Sequence, residues 1–94
     1  MNIIIQPLAQ KTILSISEYI EDLNTVGSGE RWIHKLLLFC KKFALPNVQY
    51  SLCNDANLAK QKLSCLVFNN WIIAFTIEEN NFIIHQVIYG RLLK

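Results

Sequence analysis

The chain has 94 residues, which suffices for one domain with a modest hydrophobic core and is too short for two. Hydrophobic residues make up 52% and charged residues 17%, so we expect another chain to cover part of the apolar surface. The formal net charge of +2 is well below that of proteins with a strong positive field for nucleic acid, so charge gives no argument for RNA or DNA binding, and we expect no direct sequence-specific DNA binding.

The N-terminal part predicts a short strand followed by an amphipathic helix. Residues 3–5 are a β-branched run that Pro7 stops, which fits a strand leading into a helix start. From Leu8 onward apolar residues recur at helical spacing. The predicted buried stripe of this first helix is Ile13, Ile16, Ile20 and Leu23.

A second helix is predicted from Glu30 to about Ala44. Residues 24–29 break the periodicity, Ser28 is a candidate N-cap, and Pro46 follows the expected end. The apolar face is so wide that we expect the helix to be covered on more than one side. It consists of Trp32, Ile33, Leu36, Leu37, Phe39, Cys40 and Phe43. The short break predicts a helical hairpin.

A longer connection follows, with one helical turn predicted at residues 55–60 and with Tyr50 and Leu52 expected to anchor it to the core. The remaining chain alternates between β-branched or aromatic runs and Asn-rich turns, at residues 69–70 and 78–81. This pattern predicts a three-stranded antiparallel meander. The predicted fold class is therefore α+β in the order β-α-α-β-β-β, as one domain over residues 1–94, with the helices on one face of the sheet.

Strand alternation assigns the side chains of the meander to two faces. The face expected against the helices carries Leu66, Phe68, Trp71, Ile73, Phe75, Ile77, Phe82, Ile84 and Ile88. The opposite face carries Leu63, Cys65, Val67, Ile72, Ala74, Thr76, Ile83, His85, Val87 and Tyr89. A shift of one residue would exchange the faces.

The cysteines predict neither a disulfide framework nor a zinc site. Cys40, Cys53 and Cys65 are odd in number and lack Cys-x-x-Cys spacing, so we expect reduced thiols packed as small core residues. We expect no metal and no cofactor. The N-terminus lacks a cationic leader and no stretch approaches a membrane span, so we expect a cytoplasmic protein without a membrane partner.

The chemically interesting side chains lie in and around the predicted meander. His85 is a candidate acid or base near neutral pH, although a lone strand histidine is more often simply hydrogen-bonded. Tyr89 and Arg91 end the last strand, where a phenol and a guanidinium suit phosphate or an acidic partner. These three residues are the catalytic candidates. The candidates for partner or target binding are Lys60, Lys62, Tyr89, Arg91 and Lys94.

Three sequence blocks in this order carry a family resemblance. They are residues 50–60, with the start Tyr-Ser-Leu-Cys-Asn-Asp, residues 70–75, which read Asn-Trp-Ile-Ile-Ala-Phe, and residues 87–91, which read Val-Ile-Tyr-Gly-Arg. Together with the element order, they resemble the RelE/ParE superfamily of bacterial toxin-antitoxin toxins over nearly the whole chain. The resemblance implies a toxin that a cognate antitoxin neutralises.

The departures from the family pattern bear on the target. Members often carry arginine where this chain has Ser64, Gln86 and Leu92. Cleavage of mRNA on the ribosome needs clustered cations and a general acid or base, and this chain keeps few of them together. The resemblance to the ParE branch implies DNA gyrase as the target. Two alternatives stay open: a ribosome-dependent mRNA endonuclease, and a degenerate binding module without toxicity. Whether the chain is an enzyme is therefore open, and the missing residues favour a binding protein.

Overall fold

A computed structural model describes residues 1–90 of the protein. The predicted order of elements is confirmed, with one short additional helix where a helical turn is predicted. In chain order the elements are β1 (Asn2–Ile5), α1 (Pro7–Leu23), α2 (Ser28–Phe43), α3 (Ala56–Lys60), β2 (Ser64–Phe68), β3 (Trp71–Glu78) and β4 (Asn81–Tyr89).

The strands form one mixed four-stranded sheet in the order β1-β4-β3-β2. The meander β2-β3-β4 is antiparallel as predicted, and β1 pairs in parallel with β4 at the opposite edge from β2. Helices α1 and α2 cover one face, as expected. We call the other face the outer face, and α3 packs on it through Leu58, beside Ala74 of β3.

The main core lies between the two long helices and the sheet. The helices contribute Ala9, Ile13, Ile16, Trp32, Leu36 and Cys40, and the sheet contributes Ile73, Phe75, Phe82, Ile84 and Val87. The rings of Phe75 and Phe82 stack at its centre, with centroids 4.5 Å apart and planes inclined by 14°. Both side chains are almost fully buried, because the helices cover the apolar face of strands β3 and β4.

The faces predicted for the second half of β4 are wrong, because the strand contains a β-bulge. Phe75 pairs with Ile84, but the preceding residue, Ala74, pairs with Gln86, so His85 is an extra residue on β4. The predicted assignment holds up to this point. Beyond it the alternation shifts by one residue, which places Val87 in the helix-side core and Ile88 on the outer face. Tyr89 likewise moves to the helix side, against Trp71.

Helices α1 and α2 approach each other so closely that their contact requires a glycine. A Cβ on Gly29 would lie 2.5 Å from the backbone oxygen of Ser17. The chain enters α2 through Gly27, which has φ 89°, the left-handed region that favours glycine. The glycines therefore set the geometry of the hairpin.

The prediction that Ser28 caps α2 is wrong, because the cap is Glu21, a residue of α1. The carboxylate of Glu21 accepts hydrogen bonds from the backbone N–H of Gly27 at 2.6 Å and of Gly29 at 2.8 Å. Ser28 is the first residue of the helix, and its hydroxyl donates to the backbone oxygen of Ile20 at 3.3 Å. The two amide hydrogen bonds and the nearby Arg31 lower the pKa of Glu21.

Two predicted core contacts are wrong. Leu23 is 65% exposed because it is the last residue of α1 and adjoins the exposed turn of residues 24–26. Leu52 is 51% exposed, whereas Tyr50 anchors the connection as predicted: its ring makes a T-shaped contact with Phe75, and its hydroxyl donates to the backbone oxygen of Phe43 at 3.0 Å.

The cysteine prediction is also wrong. Cys53 and Cys65 form a disulfide with Cα atoms 5.1 Å apart, linking the connection before α3 to β2. A bridge that closes a loop of this length stabilises the fold by about 3 kcal/mol through the entropy of the unfolded chain. Cys40 is a free buried thiol, and burial raises its pKa to about 12, so it is an inert core group.

Within residues 1–90, no helix combines the length and the apolar character needed to cross a membrane.

The Glu21→Gln substitution should destabilise the protein and weaken its response to acid. Because folding lowers the pKa of Glu21 from its ordinary value of 4.5, its stabilising effect is complete above that pH and is lost as the pH falls through the folded-state pKa. Thermal unfolding followed by circular dichroism between neutral and acidic pH would measure both effects. Glu18→Gln, an exposed site on the same helix, is the matched control; an equal loss in both variants would contradict the capping role.

The Gly29→Ala substitution should have two opposing effects on stability, a gain in helix propensity and a clash between α1 and α2. Alanine favours a helix by about 1 kcal/mol over glycine. The new methyl group would meet a backbone oxygen, which no side-chain rotation can relieve, so we expect a net loss of about 1–2 kcal/mol. Urea unfolding measures the difference. Ser15→Ala, at an exposed position of α1, should be neutral or stabilising, and a stabilised Gly29→Ala variant would refute the close approach.

Candidate functional site

A groove opens where β2 stops short of the full length of β3. The pairing of β2 with β3 begins at Ser64 and Phe75, and β3 continues to Glu78. The loop before α3 and the turn after it form the other walls of a cavity of about 640 Å³. Its polar lining includes Gln49, Gln61, Lys62, Thr76, Glu78 and His85.

His85, the extra residue of the bulge, lines this groove on the outer face, the face predicted for it. The ring nitrogen Nε2 lies 2.8 Å from the hydroxyl of Thr76 on the adjacent strand, and the tautomer decides which of the two donates. A histidine held this way can bind a ligand or exchange a proton at the groove wall. The same hydrogen bond also satisfies a structural histidine, so it does not by itself assign a catalytic role.

Of the lysine candidates, Lys62 lines the same groove as His85. Lys62 is exposed and has φ 62°, because the chain reverses there between α3 and β2. Lys60 is exposed at the last turn of α3 and does not line the groove. The fold therefore brings together one histidine and one lysine that lie far apart in the sequence.

Tyr89 lies away from this groove. Its ring packs on Trp71, with centroids 5.2 Å apart, and the bulge places both on the helix side. Four residues of strand separate it from His85, which is about 13 Å of strand length. Arg91 and Lys94 fall outside the described residues. His85 and Tyr89 are thus on opposite faces of β4 and do not form one catalytic centre.

The positions where the family carries arginine have different roles here. Ser64 is buried, and its hydroxyl donates to the backbone oxygen of Tyr50 at 3.3 Å, so it ties the connection to β2. Gln86 pairs with Ala74 next to the bulge. Leu92 is outside the part of the chain that the structure describes. Over that part, no group of three His, Cys, Asp or Glu side chains is placed to hold a metal ion.

The helical layer carries a second candidate surface, which is apolar. Large apolar side chains are exposed at 49–91% along α1, at the hairpin turn and on α2: Leu8, Leu14, Tyr19, Leu23, Val26 and Leu38. A groove of about 720 Å³ runs along the first half of α2, lined by Arg31, Ile33, His34 and Leu37 among others. Exposure of this kind is typical of a surface that binds another protein.

Both surfaces contain residues that are not among the site residues predicted from the sequence. Thr76 and Gln49 line the groove, and Thr76 is the only polar residue between Trp71 and Ile77 of β3, a signal that could have marked it. Leu23, predicted in the buried stripe of α1, lies on the exposed helical surface.

Neither a model of any protein family nor any curated protein matches this sequence. The assignment of a function therefore rests on the residues and on the geometry.

The Tyr50→Phe substitution tests the anchor that shapes the groove. It removes the hydroxyl that donates to Phe43 and keeps the ring against Phe75, so we expect a loss of about 1 kcal/mol. Urea unfolding would measure it. Tyr19→Phe is the matched control, because Tyr19 is 65% exposed and its change should stay within about 0.5 kcal/mol. Equal effects would mean that the Tyr50 hydroxyl anchors nothing.

Proposed function

We propose that this protein is the toxin component of a type II toxin-antitoxin module, similar to the RelE/ParE superfamily, and that a cognate antitoxin neutralises it by covering its helical surface. The observation that carries the proposal is the exposed apolar surface of α1 and α2 on a fold with the element order expected for such a toxin. An unshielded surface of this kind favours a permanent or frequent protein partner.

DNA gyrase is the proposed target of the free toxin. An mRNA endonuclease working on the ribosome would need an acid or base beside the cations that stabilise the phosphate. The separation of His85 from Tyr89 on opposite faces of β4 does not favour that alternative. Uncharged Ser64 and Gln86, where the family carries arginine, weaken it further.

Ser64 and Gln86 also favour a second candidate function, that of a degenerate toxin that binds an antitoxin without poisoning a target. Ser64 is committed to a structural hydrogen bond with Tyr50, so its position offers no charge to a substrate. In this candidate the helical surface keeps its role and the groove around His85 has none.

We place the protein in the cytoplasm, where gyrase and the antitoxin are found. The Cys53–Cys65 disulfide bears on this placement because cytoplasmic disulfides are usually transient. The proposal therefore requires that the bond forms and breaks with redox conditions, or that the protein folds and functions without it.

Inducible expression tests the proposal directly. We expect growth arrest when the protein is expressed alone, rescue when the neighbouring open reading frame is co-expressed, and a stable complex of the two products. Purified protein should inhibit supercoiling by gyrase and leave transcripts intact. Transcript cleavage would support the endonuclease instead, and antitoxin binding without toxicity would support the degenerate module. Absence of both toxicity and binding would refute the toxin assignment.

A substitution on α1 tests the docking surface. The double variant Tyr19→Ser/Leu23→Ser removes two side chains that are each 65% exposed, so the fold should be unchanged. We expect its affinity for the antitoxin to fall by about tenfold or more, measured by calorimetry. Glu18→Ser, at an exposed neighbouring position, is the matched control. Unchanged affinity of the double variant would show that the antitoxin docks elsewhere.

A further inference from the structure

Residues 51–62 are a stretch of chain with few attachments to the rest of the protein. They comprise the end of the connection, α3 and the turn into β2. Only Cys53 and Leu58 are buried among these twelve residues, and the others are exposed or half-buried. One of the two buried attachments is therefore the cysteine of the disulfide.

The hydrogen bonds of the 51–62 segment mostly stabilise the segment itself. The carboxylate of Asp55 accepts from the backbone N–H of Leu58 at 3.1 Å, which caps α3 internally. Two backbone bonds link the segment to Leu63, just before β2: the N–H of Cys53 donates to the oxygen of Leu63 at 2.8 Å, and the N–H of Leu63 donates to the oxygen of Leu58 at 3.1 Å. This leaves the disulfide as its main tie to the middle of β2.

The segment covers a small apolar cluster on the outer face. Leu58 packs against Leu63 and Ala74, which are 3% and 0% exposed, with Cys65 and Ile88 at the margin. This cluster is separate from the main core beneath the helices. Detachment of the segment would uncover this cluster and leave the main core in place.

The disulfide borders a surface groove, with Cys65 half-buried and Cys53 buried. Cys53 and Cys65 line an open groove of about 500 Å³ with Ser51, Asn54, Val67 and Ile72. Val67, two residues after Cys65 on the edge strand, is 64% exposed. Cys40, by contrast, is fully buried beneath the helices and takes no part.

We propose that the Cys53–Cys65 bond is a redox-controlled clasp that holds the 51–62 segment on the outer face when oxidised and releases it when reduced. A dithiol reductant attacks one sulfur as a thiolate, and its second thiol resolves the mixed disulfide. The protein gains two electrons and two protons as two thiols, and the reductant becomes a disulfide. A peroxide restores the bond and is reduced to water.

Release changes two features of the surface. Lys60 and Lys62 move with the segment, and Lys62 leaves the groove that it shares with His85. The cluster of Leu63, Ala74 and Ile88 becomes accessible. This inference goes beyond the proposed toxin function and does not depend on it, because it concerns the covalent state and the local order of the chain.

Thiol counting by mass spectrometry tests the chemistry. Protein denatured in the presence of an alkylating reagent should carry one label after peroxide treatment, on Cys40, and three after native incubation with dithiothreitol. In the Cys40→Ala background the numbers should be zero and two. Three labels after peroxide would overturn the proposal, and so would a bond that persists in the native protein under dithiothreitol.

Hydrogen exchange tests the release. After reduction, the amides of the 51–62 segment, including Cys53 and Ala59, should exchange about tenfold faster or more, while α2 should be unchanged. The Cys53→Ser/Cys65→Ser variant should match the reduced protein under either condition. Leu58→Ala should exchange slowly when oxidised and faster than the wild type when reduced. Equal exchange of the oxidised and reduced wild type would overturn the clasp.

Discussion

The stack of Phe75 on Phe82 is the contact on which the architecture depends. It joins β3 and β4 diagonally across the antiparallel pair, with both rings nearly inaccessible to water. Phe75 also makes a T-shaped contact with the ring of Tyr50, whose hydroxyl donates to the backbone oxygen of Phe43 at the end of α2. One buried ring therefore connects the sheet, the helical layer and the connection that shapes the groove. Truncation of such a ring costs about 3–5 kcal/mol, a large share of the stability of a small domain.

The helices and strands could be predicted because each has a clear hydrophobic period and clear breaks. The details that failed depend on contacts between distant residues. Glu21 caps α2 from another helix, and Cys53 meets Cys65 only after the connection has turned around the edge of β2. Leu23 matches the stripe of α1, but nothing in the sequence says where the cover of α2 ends.

The bulge at His85 had the largest consequence for the candidate site. An additional residue in a strand leaves no mark in the alternation of β4, where Ile83, Ile84, Val87 and Ile88 are apolar on both faces. The sequence therefore proposes His85, Tyr89 and Lys62 as separate candidates but does not indicate which of them share a surface. In the folded protein His85 and Lys62 line the same groove, and Tyr89 lies on the other face of the sheet. The protein thus has a groove with mixed polar and apolar walls beside the sheet and a separate apolar surface on the helical layer.

The parallel pairing of β1 with β4 affects how the chain can fold during synthesis. Asn2 and Asn81 are register partners, so the first strand emerges from the ribosome long before its neighbour exists. Loop closure over such a distance is slow, and until then the isoleucines of β1 have no partner strand. An unpaired β-branched run in a nascent chain is prone to aggregate. Because β4 is the only strand within residues 1–90 that pairs with β1, this edge of the sheet stays open until β4 has been synthesised, while α1, α2, β2 and β3 can already assemble.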